Sequence, residues 1–172
     1  DEKQLFESAG KLLAADEIFI FAHDATVLIA QYFARRLDFM RAKSTIVPVG
    51  DGDTMHSILA RLSPKDCAVI FSFPPYHAPI RNVANYCRHK SVPIIAVTDS
   101  MDSPAAAEGS SVFICDTSAR YFYNSQTATV SFINILSACM AMAMGRRFDD
   151  ILAQEQDVND FLRGGYSAGK EV

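Results

Sequence analysis

The sequence predicts a three-layer, doubly wound α/β domain built on a five-stranded parallel sheet of flavodoxin-like topology. Three observations carry this reading. Five short runs, IFIF (18–21), STIVPV (44–49), CAVIF (67–71), VPIIAV (92–97) and SVFICD (111–116), are rich in β-branched and aromatic residues. Most are apolar almost throughout instead of alternating, as strands buried on both faces are. Helical patterns separate them at a spacing of about 25 residues, the rhythm of βαβ units.

The elements follow in order. Leu5, Leu12 and Leu13 give an N-terminal helix its apolar face, and Asp16 and Glu17 lead into the first strand. After AHDAT (22–26), the stretch VLIAQYFARRLDFM (27–40) has helical periodicity through Leu28, Tyr32 and Phe39. Pro48 makes the second strand peripheral, because proline cannot donate to a sheet ladder. Asp51 and Asp53 are cap candidates for the helix within DGDTMHSILARL (51–62). A helix over 79–89 follows the third strand. The fourth leads into TDSMDSPAAAEG (98–109), read as a loop with one or two helical turns. Helices over 125–144 and 149–162 close the fold, and the tail GGYSAGKEV (164–172) is expected to fray. No repeat or linker divides the chain, so residues 1–163 form one domain.

Composition narrows the function. A chain of 172 residues buries roughly 70 % of its unfolded surface in one core. A net charge of −4 excludes the basic footprint of a nucleic-acid binder. The densest basic pairs, Arg35-Arg36 and Arg146-Arg147, fall within helical patterns. Cysteines 67, 87, 115 and 139 form no CxxC pair and read as buried free thiols of a reducing cytoplasm. The opening residues, DEKQLFESAG, are charged and helical, unlike a signal peptide, so a cytoplasmic location is expected. Residues 124–145 carry no charge and are long enough to span a bilayer. Their polar first half and the lack of an aromatic belt predict instead a buried helix at a subunit contact, with no membrane partner.

In a sheet of this kind ligands bind beyond the carboxyl ends of the strands. The site is therefore drawn from AHDAT, SFPPYH (72–77) and TDSMDS (98–103), joined by NSQT (124–127) at a helix start. The candidate ligand-binding residues are Asp24, Thr26, Ser72, Tyr76, His77, Thr98, Asp99, Ser100, Ser103, Ser125 and Gln126. Asp24 and Thr26 are equally suited to cap the next helix, and Ser125 and Gln126 share that ambiguity. Thr98, Asp99, Ser100 and Ser103 suit local bonds that hold their loop together. His23, Asp24, His77 and Asp99 come from adjacent loop tips, yet no contiguous spacing marks them as metal ligands. No metal and no cofactor are expected.

VTDSMDSPAA (97–106), together with the order of elements and the Ser-containing start of the helix after strand five, resembles the sugar isomerase (SIS) domain of RpiR-type transcriptional regulators. The resemblance covers nearly the whole chain. It implies an SIS-like fold, a phosphosugar or other carbohydrate-derived effector, a homodimer or higher oligomer, and no catalysis. It also implies that DNA is bound only by a helix-turn-helix domain, which none of these residues resembles. The family's first loop reads Gly-x-Gly-x-Ser, where this chain has Ala22, Asp24 and Thr26. Its phosphate loop reads Ser-x-Ser-Gly-x-Thr, where Ser72 is kept but Pro74, Pro75 and His77 replace the other three. In some of the regulators it reads Ser-Phe-Pro-Arg-Tyr-Ser, which this chain follows more closely, with Pro75 in place of Arg and His77 in place of Ser. The alternatives are a phosphosugar aldose–ketose isomerase and a dimerisation module with a decayed site. The uncharged helix supplies no acid or base for the first of these.

Overall fold

The computed structural model describes residues 1–106, 111–121 and 124–167, with side chains through 164. Strands β1 (Ile18–Ala22), β2 (Ser44–Pro48), β3 (Cys67–Ser72), β4 (Ile94–Thr98) and β5 (Ser111–Ile114) form one sheet in the order β2-β1-β3-β4-β5. Every pairing is parallel. The expected doubly wound architecture is therefore present, and Pro48 lies on an edge strand as its chemistry requires.

Alternate residues of each strand feed two separate cores, which explains the unbroken apolar runs. Ile18, Ile20, Val69 and Phe71 face α1 (Glu2–Ala14), α2 (Thr26–Phe39) and α5 (Thr127–Met144). Phe19, Phe21, Ala68 and Ile70 face α3 (Gly52–Arg61) and α4 (Pro79–His89). Helix α1 also ties down the β5 edge: Gln4 donates to the Val112 carbonyl at 3.2 Å and Lys11 to Ser111 Oγ at 2.9 Å. The four cysteines are free and buried; burial pushes Cys67 and Cys87 up to about 12 and Cys115 to about 11.

The helix ends follow local chemistry. Asp51 caps α3 by accepting from the Thr54 amide at 3.2 Å, while Asp53 falls in the first turn. Helices α2 and α4 end on Arg41 (φ +59°) and Ser91 (φ +56°), left-handed positions after which the next amide bonds back five residues, Ala42 to Leu37 and Val92 to Cys87. The loop after β4 makes two tight turns, Ser103 to Ser100 and Ala106 to Ser103, in place of helix, and residues 107–110 lie outside the described ones.

Helix α5 is long and apolar enough to cross a membrane, but it packs one face into the core through Ile133, Leu136 and Met140. Helix α6 (Arg146–Ser167) starts earlier than its apolar pattern suggests and continues into the stretch read as a tail. Its first turns hold on through Phe148 against Phe39, buried Ile151, and an Arg41–Glu155 ion pair of 2.7 Å. Residues 168–172 of the tail lie outside the described residues.

One charged residue is deeply buried where β1 begins. Glu17 is only 5 % exposed and accepts from Lys43 at 2.8 Å, Arg61 at 2.9 Å and Thr45 at 2.6 Å. It thereby joins β1 to β2 and to the end of α3, with the Arg61 guanidinium also lying over the Phe19 ring. Burial opposes its ionisation, but these three hydrogen bonds and the Arg61 charge outweigh that and hold its carboxyl at about 2. A depressed carboxylate contributes stability above its unfolded pKa and loses it as pH falls through the folded value. Glu17→Gln is therefore expected to cost about 1–3 kcal/mol in denaturant unfolding at pH 7. It should also flatten the loss of stability that the parent shows from the usual carboxylate range down to pH 2. At the end of α4, Ser91→Gly should instead raise stability by about 0.5–1 kcal/mol, by relieving a left-handed backbone without removing any side-chain bond.

Candidate functional site

The strand order reverses at β1: its neighbours β2 and β3 are reached by crossovers in opposite directions. The loops leaving β1 and β3 therefore part from each other, and a crevice opens between them. A cavity of about 360 Å3 fills it, between residues 23–26 after β1 and 73–75 after β3, with Asn124 and Gln126 ahead of α5. This lies within the about 300–1,000 Å3 of typical small-molecule sites. A larger hollow of about 730 Å3 runs beside Arg35, Asp38 and Lys43, where α2 ends and β2 starts, at the opposite edge of the sheet. It has no share in the loops that a doubly wound fold uses.

His23 forms the floor of the crevice. It is 5 % exposed, and its backbone is clamped by Thr26: the His23 amide donates to Thr26 Oγ1 at 3.0 Å, and that hydroxyl donates to the His23 carbonyl at 2.6 Å. Thr26 thus spends its hydroxyl on the loop itself, although it still lines the cavity. Asp24 stands in the left-handed region (φ +47°), which Asp tolerates better than most residues. That turn brings its carboxylate to 3.3 Å from His23 Nδ1. His23 Nε2 is buried and has no hydrogen-bond partner among the described residues. The His77 ring stacks on it, centroids 5.3 Å apart and planes 24° from parallel, with its own Nδ1 also buried and unpartnered.

The loop after β3 offers little backbone. Pro74 and Pro75 are joined by a cis peptide bond and have no N–H to donate. The Pro74 carbonyl accepts from Asn124 Nδ2, which pins this loop to the start of α5. Asn124 is itself left-handed (φ +58°), and α5 starts behind Gln126 without a side-chain cap. The Gln126 side-chain oxygen is another buried atom without a partner.

The remaining candidates are not among the described residues that line this cavity. Ser72 is fully buried at the end of β3, and Ser103 Oγ donates to its hydroxyl at 3.3 Å. Ser100 accepts from the Asp102 amide at 3.1 Å, and Thr98 donates to Asp99 at 3.4 Å, so these groups brace the β4 loop. Tyr76 donates to Asp99 at 2.7 Å. Partial burial and then the Asp99 carboxylate push its phenol up to about 12, so the hydroxyl keeps its proton. Asp99 also lines an adjoining hollow of about 320 Å3 with Asp116 and Asn124. The Asp116 carboxylate accepts from the Ser118 amide and hydroxyl, each at 2.8 Å, and its pKa is lowered by those bonds. Ser125 Oγ turns to Thr127 Oγ1 at 3.3 Å.

Of the predicted residues, the fold thus places Asp24, Thr26 and Gln126 on the cavity, His77 beside it through the stack, and Tyr76 with Asp99 at its flank. Ser72 directly precedes Phe73 of the cavity, while Ser103 lines a separate hollow of about 520 Å3 with Arg81 and Arg88. His23 and Asn124, absent from the predicted set, are the additions. Asn124 carries a signal, since Asn before a helix favours a left-handed turn; His23 shows its role only through a partner 54 positions away. Among the described residues no group of three or more His, Cys, Asp or Glu is placed to hold a metal ion.

The geometry agrees with what this chain is similar to. No curated protein sequence matches it significantly. The sugar isomerase domain of an RpiR transcription factor from Sphaerobacter thermophilus superposes with a TM-score of 0.81 at 21 % identity, over 91 % of this chain and 87 % of that one. The NanR protein of Vibrio vulnificus, solved with ManNAc-6P, gives a TM-score of 0.72 at 15 % identity, over 94 % of this chain and 62 % of that one. Protein MJ1247 from Methanococcus jannaschii, for which a 3-hexulose-6-phosphate isomerase function has been inferred, gives 0.62 at 21 % identity, over 84 % and 78 %. Below 25 % identity these likenesses speak for the fold. The SIS domain model matches residues 11–145, most of the chain, and the protein therefore belongs to the SIS domain family.

Proposed function

We propose that this domain is a non-catalytic, cytoplasmic effector module that binds a sugar-derived small molecule in the cavity between the β1 and β3 loops. In this reading it regulates DNA binding by a domain outside these residues. The observation that carries the reading is the His23–Asp24–Gln126 wall: convergent polar groups, two of them buried with no partner, in a cavity of ligand size at the switch point of an SIS fold. Regulator neighbours of the same fold add to it, one of them solved with a sugar phosphate. Helix α5 contains no Asp, Glu, Lys, Arg or His, which leaves the far wall without an acid–base group.

An isomerase is the second reading, and one feature favours it: His23, oriented by Asp24 through Nδ1, is arranged as a general base would be. Assays with aldose and ketose phosphates decide between the two. No turnover is expected, and interconversion of any such pair above the uncatalysed rate would overturn the effector reading.

For binding itself, a sugar or sugar phosphate at a hundredfold excess over its Kd should raise the melting midpoint by about 5–10 °C. Ala25→Phe, at an exposed position on the cavity, should abolish that shift while leaving the ligand-free midpoint within about 2 °C.

The module acts as a homodimer in this proposal. Ile135 and Met142 of α5 and Leu152, Val158, Phe161 and Leu162 of α6 are exposed, Phe161 by 78 %. Beyond Ile151 no described side chain of α6 is fully buried. So apolar a helix face is covered most simply by its own copy. Sedimentation at micromolar concentration should show a dimer for the parent chain and a monomer for Phe161→Glu; a monomeric parent would overturn the assignment.

A further inference from the structure

The proposed sugar-derived ligand leaves its chemical class open, and the cavity wall speaks to it. We infer that the cavity selects an unphosphorylated polyhydroxy or amino compound and rejects the phosphate ester of the same sugar. The inference rests on the effector reading above and concerns the charge that the site accepts.

A phosphate site needs positive charge, free amides, or both. Among the described residues lining this cavity there is no Lys or Arg. The amides that a first helix would aim at an anion are turned back on the loop: Thr26 donates to the His23 carbonyl at 3.0 Å, Val27 to Asp24 at 3.1 Å and Leu28 to Ala25 at 3.2 Å. The β3 loop contributes Pro74 and Pro75, which have no N–H at all. The uncapped start of α5 adds donors, and a helix N-terminus presents about half an elementary charge. Asp24 sets a full negative charge against it from the same cavity.

Histidine does not reverse that balance. His23 and Asp24 together carry −1 with the ring neutral and zero with it protonated. A phosphate dianion entering here would lose its water shell with no Lys or Arg on the cavity to replace it.

The same groups suit a hydrogen-bond donor. Asp24 accepts only, and the Gln126 side-chain oxygen is buried without a donor. With Nδ1–H directed to Asp24, the neutral His23 ring offers the Nε2 lone pair, 95 % of the residue being buried. Hydroxyl or ammonium groups on a ligand would satisfy all three, and the start of α5 would take its oxygens.

The test follows the imidazole resonances of His23 and His77 by 1H–15N NMR and measures Kd by calorimetry. Glucose, glucosamine and N-acetylmannosamine are each added with and without a 6-phosphate, alongside inorganic phosphate. The expected result is an unphosphorylated member that shifts the His23 resonances and binds at least tenfold more tightly than its ester. Asp24→Asn should shrink that preference at least tenfold, from both sides. An ester that binds as tightly as its parent, or inorganic phosphate that shifts His23, overturns the inference and leaves the effector reading standing. Silence from all seven compounds in both measurements overturns the effector reading and the inference with it.

Discussion

The reversal of strand order at β1 is the constraint from which the rest of this molecule follows. A right-handed crossover places α2 on one face on the way to β2, and the return past β1 to β3 places α3 on the other. Both faces of β1 and β3 are then covered, so neither strand can carry a polar side chain until it ends. Polarity enters at His23 and at Ser72, where the two strands stop side by side. Glu17 matters for the same reason at the opposite edge. Its three hydrogen bonds fix the start of β1 against β2 and α3, and with it the register that delivers His23 to the crevice.

Much of the fold was legible because it depends on short-range pattern. IFIF and CAVIF are apolar on both faces for the reason just given, and Pro48 signals an edge whatever lies next to it. The extent of α6 was less legible, since Asn159, Gly164 and the acidic residues between apolar positions blur its period while little tertiary packing marks where it stops. The site was legible in its address and not in its wiring. Ser72, Ser100 and Ser103 have the composition of a ligand loop, yet their described bonds are to each other and to their own loop. His23 and His77 were legible as neighbouring loop tips, but not as a stacked pair. A stack between residues so far apart in sequence is set by topology, which no local spacing records.

Departures from the family's Gly- and Ser-rich loops make physical sense taken together. A glycine-rich first loop leaves its amides free to meet an anion. In this chain Asp24 supplies the left-handed turn that glycine would give, and in doing so it adds a carboxylate and turns the amides of 26–28 back on the loop. In the β3 loop Pro74 and Pro75 offer no amide, and Pro75 stands where the more similar form of the family loop has Arg. Each change alone weakens an anion site. Random decay gives no reason for the remaining acceptors to gather on one cavity, nor for His23 to be buried and oriented by Asp24. Retuning toward a different ligand gives one.

The same arrangement suggests how occupancy reaches the surface. Gln126, on the cavity, immediately precedes α5, and Met142 lies sixteen positions further along, about 24 Å at a helical rise. Helix α5 packs against α1, α2 and, through Phe132 on Phe113, the sheet. Its far end adjoins α6, which carries the exposed apolar face. In the proposed reading, a ligand held by Gln126 and Asp24 bridges α5 and the β1 loop, while the Asn124–Pro74 bond already joins the start of α5 to the β3 loop. Coupling to the proposed dimer requires only that this bridge form better in one setting of α5 than in another. The apolar length of α5, which resembles a membrane span in composition, then has a mechanical meaning. In the proposed dimer it lets one helix touch the ligand cavity at one end and the subunit face at the other.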